Sequence, residues 1–308
     1  MDLHASAQAA IEELSTIQDL IRWSVSAMNQ SEIYFGHGTD NSWDEARLMV
    51  TFALSLEWDL APEWYSSRLT RAEREAVVNL VCHRIETRTP VPYLTGEAWF
   101  CGMTFAVDER VLIPRSPIGE MIRNDFLPWW RGNGNTVVPQ RILDLCTGSG
   151  CIGIACADQF PEAEVELLDI SFEALELAQE NIERHQLQDR VQALQSDLFA
   201  AAHGKYDLIV TNPPYVDAYD MSTLPEEYHH EPELALAAGD DGLDLVRVIL
   251  REARQYLNDG GLLVVEVGNS WPALEQAFPQ LPFVWPEFES GGHGVFVLQA
   301  EDLDLLAD

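Results

Sequence analysis

The chain has 308 residues, long enough to bury a large core and to divide into two domains. Acidic residues outnumber basic ones by 51 to 18, a formal charge of −33, and Lys205 is the only lysine. A field of that sign repels phosphate backbones and anionic lipid, which argues against direct nucleic-acid binding and against a membrane surface, and is compatible with a soluble protein or a basic partner.

The amino terminus lacks a basic stretch followed by an apolar core, so no signal peptide is expected, and no run approaches the roughly 18 consecutive apolar residues of a membrane span. These features imply a cytoplasmic protein. The five cysteines, an odd number, read as free thiols. Cys146, Cys151 and Cys156 are evenly spaced, but the first ends a strand and the last lies inside a helix, so their thiolates do not converge on a metal ion.

Residues 5–28 carry Ile11, Leu14, Ile17, Ile21, Val25 and Met28 at helical spacing. Ser42 with Glu45, and Thr70 with Glu73, form Ser/Thr-x-x-Glu signatures that start two further helices. The second of these carries Val77, Leu80, Val81 and Ile85 on one face, and Trp23, Met28, Trp43, Met49 and Trp58 are expected in a core. Residues 1–89 therefore read as a helical bundle. Residues 90–115 read as a linker, broken by Pro90, Pro92 and Gly96, with a hairpin formed by 99–105 and 107–113. Residues 116–308 read as a second domain. It begins with a helix over 116–126 and a flexible loop over 132–135.

From Arg141 the pattern alternates. Strands are expected at 141–146, 165–170, 191–196, 206–211 and 262–267, and helices at 151–160, 172–186 and 243–257. Such alternation means a doubly wound, mostly parallel α/β sheet, which binds ligands outside the carboxyl ends of its strands. At the end of the chain, 283–288 and 294–299 flank Ser290-Gly-Gly-His293 and suggest a hairpin that adds one antiparallel strand.

The first strand leads into Asp144-Leu-Cys-Thr147-Gly148-Ser-Gly150-Cys-Ile-Gly153. Its glycines satisfy the G-x-G-x-x-G pattern of a dinucleotide site, and Asp169 falls where such a site has its ribose-binding acid. An acid beside the loop is unfavourable next to a pyrophosphate, however, and favourable next to a cation. S-adenosyl-L-methionine carries a sulfonium and an ammonium and no phosphate, so Asp144 favours that cofactor over a nicotinamide. Asp169 suits ribose hydroxyls. Asp197, after the third strand, suits an exocyclic amine, with Leu198 packing on the ring. Each acid alone could equally cap a helix; their succession at strand ends is what carries the reading.

The strand 206–211 ends in Thr211-Asn212-Pro213-Pro214-Tyr215. The two prolines lack N–H groups and hold the preceding residues extended, which leaves the Asn212 and Pro213 carbonyls free beside the Asn212 amide and an aromatic ring. That arrangement suits a flat, polar, nitrogen-bearing group. A rigid turn with no ligand is the plainer alternative.

Asp-x-x-Thr-Gly-Ser-Gly together with Asn-Pro-Pro-Tyr resembles the class I S-adenosylmethionine-dependent methyltransferases that act on amide or amino nitrogens. The segment from Val91 to Ile118 is similar to the protein N5-glutamine methyltransferases. Arg115-Ser-Pro-Ile looks like the branch acting on large-subunit ribosomal protein L3, whereas the release-factor branch typically has Arg-Pro-Glu-Thr there. The resemblance spans residues 15–300 and implies a seven-stranded sheet, a helical domain that recognises substrate, and S-adenosyl-L-methionine as methyl donor. It implies cofactor binding by Asp144, Thr147, Gly148, Gly150, Asp169, Asp197, Leu198 and Asn212, and catalysis by Asn212, Pro213, Pro214 and Tyr215, with Tyr215 stacking on the substrate amide. Cys146 departs from it, standing where many relatives have glycine. A release-factor enzyme and an adenine N6 methyltransferase of nucleic acid are the alternatives; the latter normally needs a basic surface, which this composition lacks.

Overall fold

A computed structural model describes residues 2–132 and 137–306, so 133–135 of the expected flexible loop lie outside the described residues. The chain forms two compact units. One comprises the chain up to Glu97 together with Pro225–His230, and the other comprises Ala98–Leu224 together with Glu231 onward. The first boundary falls inside the stretch read as linker, and no local sequence signal announces that Pro225–His230 belongs with the helices.

The first unit contains helices α1 (Leu3–Glu13), α2 (Ile17–Gln30), α3 (Ser42–Ala53), α4 (Arg71–Thr87) and the short α5 (Val91–Thr95). The single helix expected over 5–28 is in fact two. Leu14 is extended, and Thr16 caps α2 in a capping box, its hydroxyl accepting from the Asp19 N–H while the Asp19 carboxylate accepts from the Thr16 N–H. Apolar periodicity continues through the break and hides it. The cap expected at Ser42 is provided instead by Asn41, whose side chain accepts from the Asp44 N–H at 2.9 Å. The Thr70–Glu73 box forms as expected. Ile17, Leu20, Ile21, Met28, Met49, Val77 and Val81 make the core. Trp23 joins it, but Trp43 is 48 % exposed and Trp58 is only half-buried, beneath the Arg47 guanidinium.

Glu45, freed from capping, is buried and receives Arg84 Nε at 2.8 Å. Arg84 is 1 % exposed; its Nη1 lies 3.3 Å from Glu227 Oε1 and its Nη2 donates to the Tyr34 carbonyl. Burial pushes the Glu45 carboxyl up, and Arg84 opposes that. Removing the guanidinium would leave the buried Glu45 carboxylate without its arginine counter-ion, and Glu227 with Arg88 Nη1 at 3.5 Å. Arg84→Ala is therefore expected to cost about 3–5 kcal/mol, measured as a lowered urea midpoint of the far-ultraviolet circular dichroism transition.

The second unit begins at the second residue of β1 (Glu97–Phe100), which forms a hairpin with β2 (Met103–Ala106), and continues to helix α6 (Ile118–Arg123). The hairpin is shorter than expected. It turns at Cys101 and Gly102, both at positive φ, and 107–113 do not form a strand but run on toward the cavity described below. Alternation then proceeds as read: β3 (Arg141–Leu145), α7 (Cys151–Gln159), β4 (Glu164–Asp169), α8 (Phe172–Arg184), β5 (Val191–Gln195), β6 (Tyr206–Thr211), α9 (Ala218–Met221), α10 (Asp244–Tyr256), β7 (Leu257–Glu266), α11 (Trp271–Ala277) and β8 (Val295–Gln299).

The sheet order is β5-β4-β3-β6-β7-β8, parallel except for β8, which runs antiparallel to β7. Among the described residues it has six strands, not seven. The stretch 283–288 contributes a single antiparallel bridge, Val284 with Val297, because Pro282 and Pro286 remove the N–H donors on either side. Every residue of β6 is buried, as a central parallel strand covered on both faces requires. The chain leaves β3 toward β4 on one side, while β6 lies on the other. Their carboxyl ends therefore flank a topological switch point, where a crevice opens. Among the described residues no helix is long and apolar enough to cross a membrane.

Candidate active site

A cavity of ≈ 200 Å³ opens at the carboxyl ends of β3, β4 and β6. Of the residues singled out in the sequence, Thr147, Gly148, Asp169, Asp197, Leu198, Asn212 and Pro214 line it, whereas Asp144, Gly150, Pro213 and Tyr215 do not.

Asp144 is fully buried behind the glycine loop. Its Oδ2 accepts from Thr147 Oγ1 at 2.5 Å and from the Gly153 N–H at 2.9 Å, while its Oδ1 is buried with no partner. The acid expected beside a bound cation thus clamps the loop from beneath. Gly153 has to be glycine, since a Cβ there would lie 2.1 Å from Leu167 Cδ2. The loop is also pinned to β4: the Thr147 N–H donates to the Leu168 carbonyl, and the Gly148 N–H donates to Asp169 Oδ2 at 2.9 Å. Gly150, at φ +82°, caps α7. Cys146 has φ +56°, a region that favours glycine, so the thiol-bearing residue adopts the backbone its glycine counterparts would take without strain.

Asp169 supplies the acidity of the cavity wall. Its Oδ1 accepts from the Ser171 N–H and its Oδ2 from Gly148, each at 2.9 Å, which leaves further acceptor capacity on both oxygens. Burial raises its pKa. Asp197 is exposed at the rim, and Leu198 follows it with φ +44°, a left-handed backbone that turns the chain there. Ile170, 51 % exposed on the cavity wall, was not singled out in the sequence, although an apolar residue directly after a strand-end acid is a usable signal.

At the end of β6 the Thr211 hydroxyl donates to the Leu145 carbonyl, tying the two switch-point strands together. Asn212 follows, and its Oδ1 is buried with no hydrogen-bond partner. Tyr215 differs from the expected stacking residue. Its hydroxyl donates to Glu266 Oε1 at 2.9 Å, and Ser270 Oγ donates to its carbonyl. Its ring lies so close over Gly268 that a Cβ there would be 2.4 Å from it. Tyr215 therefore anchors the Asn-Pro-Pro turn to the end of β7. Glu266 also accepts from Ser116 Oγ at 2.5 Å; it is buried, and burial pushes its carboxyl up. These partners were missed in the sequence because they lie 51 and 150 residues apart along the chain.

Burial moves the Asp144 carboxyl up to about 7. An acid whose folded pKa is raised favours the fold at pH values below its unfolded pKa of 3.8 and loses that contribution as pH rises toward about 7. Asp144→Asn, which keeps one acceptor for the loop, is expected to gain stability relative to the parent as pH rises, by a few kcal/mol between pH 4 and pH 8. Urea midpoints of both proteins across that range check it; parallel pH profiles would contradict it.

The Methyltransferase small domain family matches residues 135–227. The chain is 50 % identical over 297 residues to the ribosomal protein uL3 glutamine methyltransferase of Francisella tularensis, covering 96 % of this chain and 94 % of that protein. It is 50 % identical over 296 residues to the protein of the same name from Xanthomonas campestris, with the same coverage of both chains. Similarity of this extent covers nearly the whole chain, and the chain belongs to the family of ribosomal protein uL3 glutamine methyltransferases.

Proposed function

We propose that this protein transfers a methyl group from S-adenosyl-L-methionine to the side-chain amide nitrogen (N5) of a glutamine in ribosomal protein L3, in the cytoplasm. The observation that carries the reading is Asn212 Oδ1, a buried acceptor with no partner at the switch point of the sheet. Such an atom costs about 1–3 kcal/mol and is tolerated where a ligand's donor completes it. A glutamine amide brings two N–H donors. Asn212 Oδ1 would accept one and the Pro213 carbonyl the other, which turns the face of the nitrogen toward the cavity.

The residues present fit the methyl donor. Asp169 retains acceptor capacity for ribose hydroxyls, Asp197 and Leu198 form the rim where an aminated ring would lie, and Gly148, with open space where a Cβ would stand, lets a ligand approach the backbone. Ile170 adds apolar wall. S-adenosylmethionine supplies an electrophilic methyl on a sulfonium, and the carboxylates of the cavity suit its positive charge.

An amide nitrogen is a weak nucleophile because its lone pair is delocalised into the carbonyl. Asn212 and Pro213 favour the more pyramidal, positively charged nitrogen of the transition state, which is positioning combined with preorganised electrostatics. Pro214 fixes the backbone of the turn, and Tyr215, held by Glu266, keeps it at the mouth of the cavity. No general base is required, since the product can lose its proton after transfer.

The L3 branch is favoured over the release-factor branch by Arg115-Ser-Pro-Ile and by the names of the relatives, and over nucleic acid by the charge of −33. Labelled S-adenosylmethionine offered with L3 and, separately, with release factors, followed by mass spectrometry, tests it. Label on a release factor alone would overturn the assignment. Asn212→Ala is expected to bind the donor within a few-fold of the parent by calorimetry and to lose about 10²–10³ in kcat; transfer at the parental rate would refute the role of Asn212. Electrostatic attraction of a basic substrate predicts a kcat/KM that falls several-fold as salt rises from about 0.05 to 0.5 M, and a flat profile would remove charge from the recognition.

A further inference from the structure

The consecutive residues Arg115 and Ser116 each engage a buried carboxylate from a different part of the second unit. Ser116 donates to Glu266, which holds Tyr215 and with it the Asn-Pro-Pro turn. Arg115 forms a two-pronged pair with Glu231, Nη1 to Oε1 at 2.5 Å and Nη2 to Oε2 at 2.6 Å. The Glu231 side chain is 0 % exposed, and its Oε1 also accepts from the Ile113 N–H at 3.0 Å. Immediately after Glu231, Pro232, Leu234 and Ala235 line the same cavity as Asn212 and Pro214. The far end of this wall is tied to the turn by Val216, whose N–H donates to the Leu236 carbonyl and whose carbonyl accepts from the Ala238 N–H.

Between these ties the wall has only a single short turn of helix, Glu233–Ala235, and Leu234 is 60 % exposed, so little apolar packing holds it. An apolar pair of similar volume would stabilise the fold at least as well as a buried ion pair. What the guanidinium–carboxylate fork adds is direction, because two parallel hydrogen bonds fix both groups in one plane. A misplacement of about 1 Å at a reacting group costs about 10²-fold in rate.

We propose that Glu231 is a positioning residue for the transfer: through its forked pair with Arg115 it holds the wall Pro232–Ala235 against the Asn212 side of the cavity, so that the acceptor amide is confined to one orientation. This rests on the function proposed above. Glu231 touches neither reactant and acts only through the wall.

The test compares Glu231→Ala, Glu231→Gln, Arg115→Ala and the Glu231→Ala/Arg115→Ala double variant with the parent, at a temperature where each is folded. In Glu231→Ala, amide hydrogen exchange of residues 233–238 is expected to accelerate by about tenfold or more while β6 exchange stays unchanged. Its kcat on L3 is expected to fall about 10²-fold, with the donor Kd within about threefold of the parent. Glu231→Gln retains an acceptor for Ile113 and Arg115, and should recover at least about a tenth of the parental kcat. The double variant should be no slower than the slower single, because both substitutions break the same forked pair. Unchanged exchange at 233–238 in Glu231→Ala overturns the proposal, as does a lowered thermal midpoint with parental kcat; should that variant not fold, parental exchange and parental kcat in Arg115→Ala, which breaks the same fork, overturn it. If the parent itself methylates no glutamine, the assigned function fails, while the exchange measurement still decides whether Glu231 holds the wall.

Discussion

Beneath the glycine loop, one carboxylate out of contact with water holds two groups that would otherwise have no reason to meet. Asp144 Oδ2 takes the Thr147 hydroxyl at the start of the loop and the Gly153 amide in the first turn of α7. With both ends of the loop drawn onto one oxygen, the intervening backbone arches outward, and the Gly148 amide comes within reach of Asp169 on the neighbouring strand. The arch leaves no room for a side chain at position 153, and the helix packs against Leu167 as a result. The shape of the cavity floor follows from this clamp. The clamp gives the acid a structural role of its own, with both hydrogen bonds received on the single oxygen Oδ2.

The opposite side of the cavity uses the same device twice more. Glu266 fixes Tyr215 and Ser116, and Glu231 fixes Arg115 and Ile113. Each buried acid joins segments that are distant in sequence, and each lies one step behind the cavity lining. Asn212 is arranged differently. Its Oδ1 is buried with no partner among the described residues, as is Asp144 Oδ1, but Asn212 lines the cavity and Asp144 does not. An unmatched acceptor on the cavity lining marks a position where a donor from outside can complete it.

The fold was legible in the sequence where a local pattern decides it. The parallel strands read as apolar runs because both faces are covered, and the Thr70–Glu73 box read as a helix start because its two hydrogen bonds close within four residues. The break between α1 and α2 was lost because Ile11, Leu14 and Ile17 keep helical spacing across it, and only the Thr16–Asp19 box betrays it. The seventh strand was overcounted because Phe283, Val284 and Trp285 are strong strand formers, while Pro282 and Pro286 limit them to one bridge. In the site, the lining residues were legible because a doubly wound sheet exposes its strand ends at the switch point, so Asp169 and Asn212 face the cavity, whereas Asp144, one residue short of the end of β3, does not. The residues behind the lining were not. Tyr215 was read as a stacking ring because its partner Glu266 lies 51 residues away, and Glu231 was not read at all because nothing near it in the chain implies burial.

The charge balance takes on a structural meaning from the same pairs. Arg84, Arg88, Arg110, Arg115, Arg141, Arg247 and Arg254 are each one-third exposed or less, and each is ion-paired with an acid. Much of the positive charge is therefore spent inside or against the surface, where a planar fork that donates in fixed directions is worth more than a mobile ammonium, in keeping with 17 arginines to a single lysine among the 18 basic residues. The carboxylates left over face water with few cations among them. An approaching basic protein thus meets a field with little competition from the enzyme's own side chains, whereas an approaching phosphate backbone meets repulsion. The arginine pairs that organise the interior and the net negative field outside are two results of one composition.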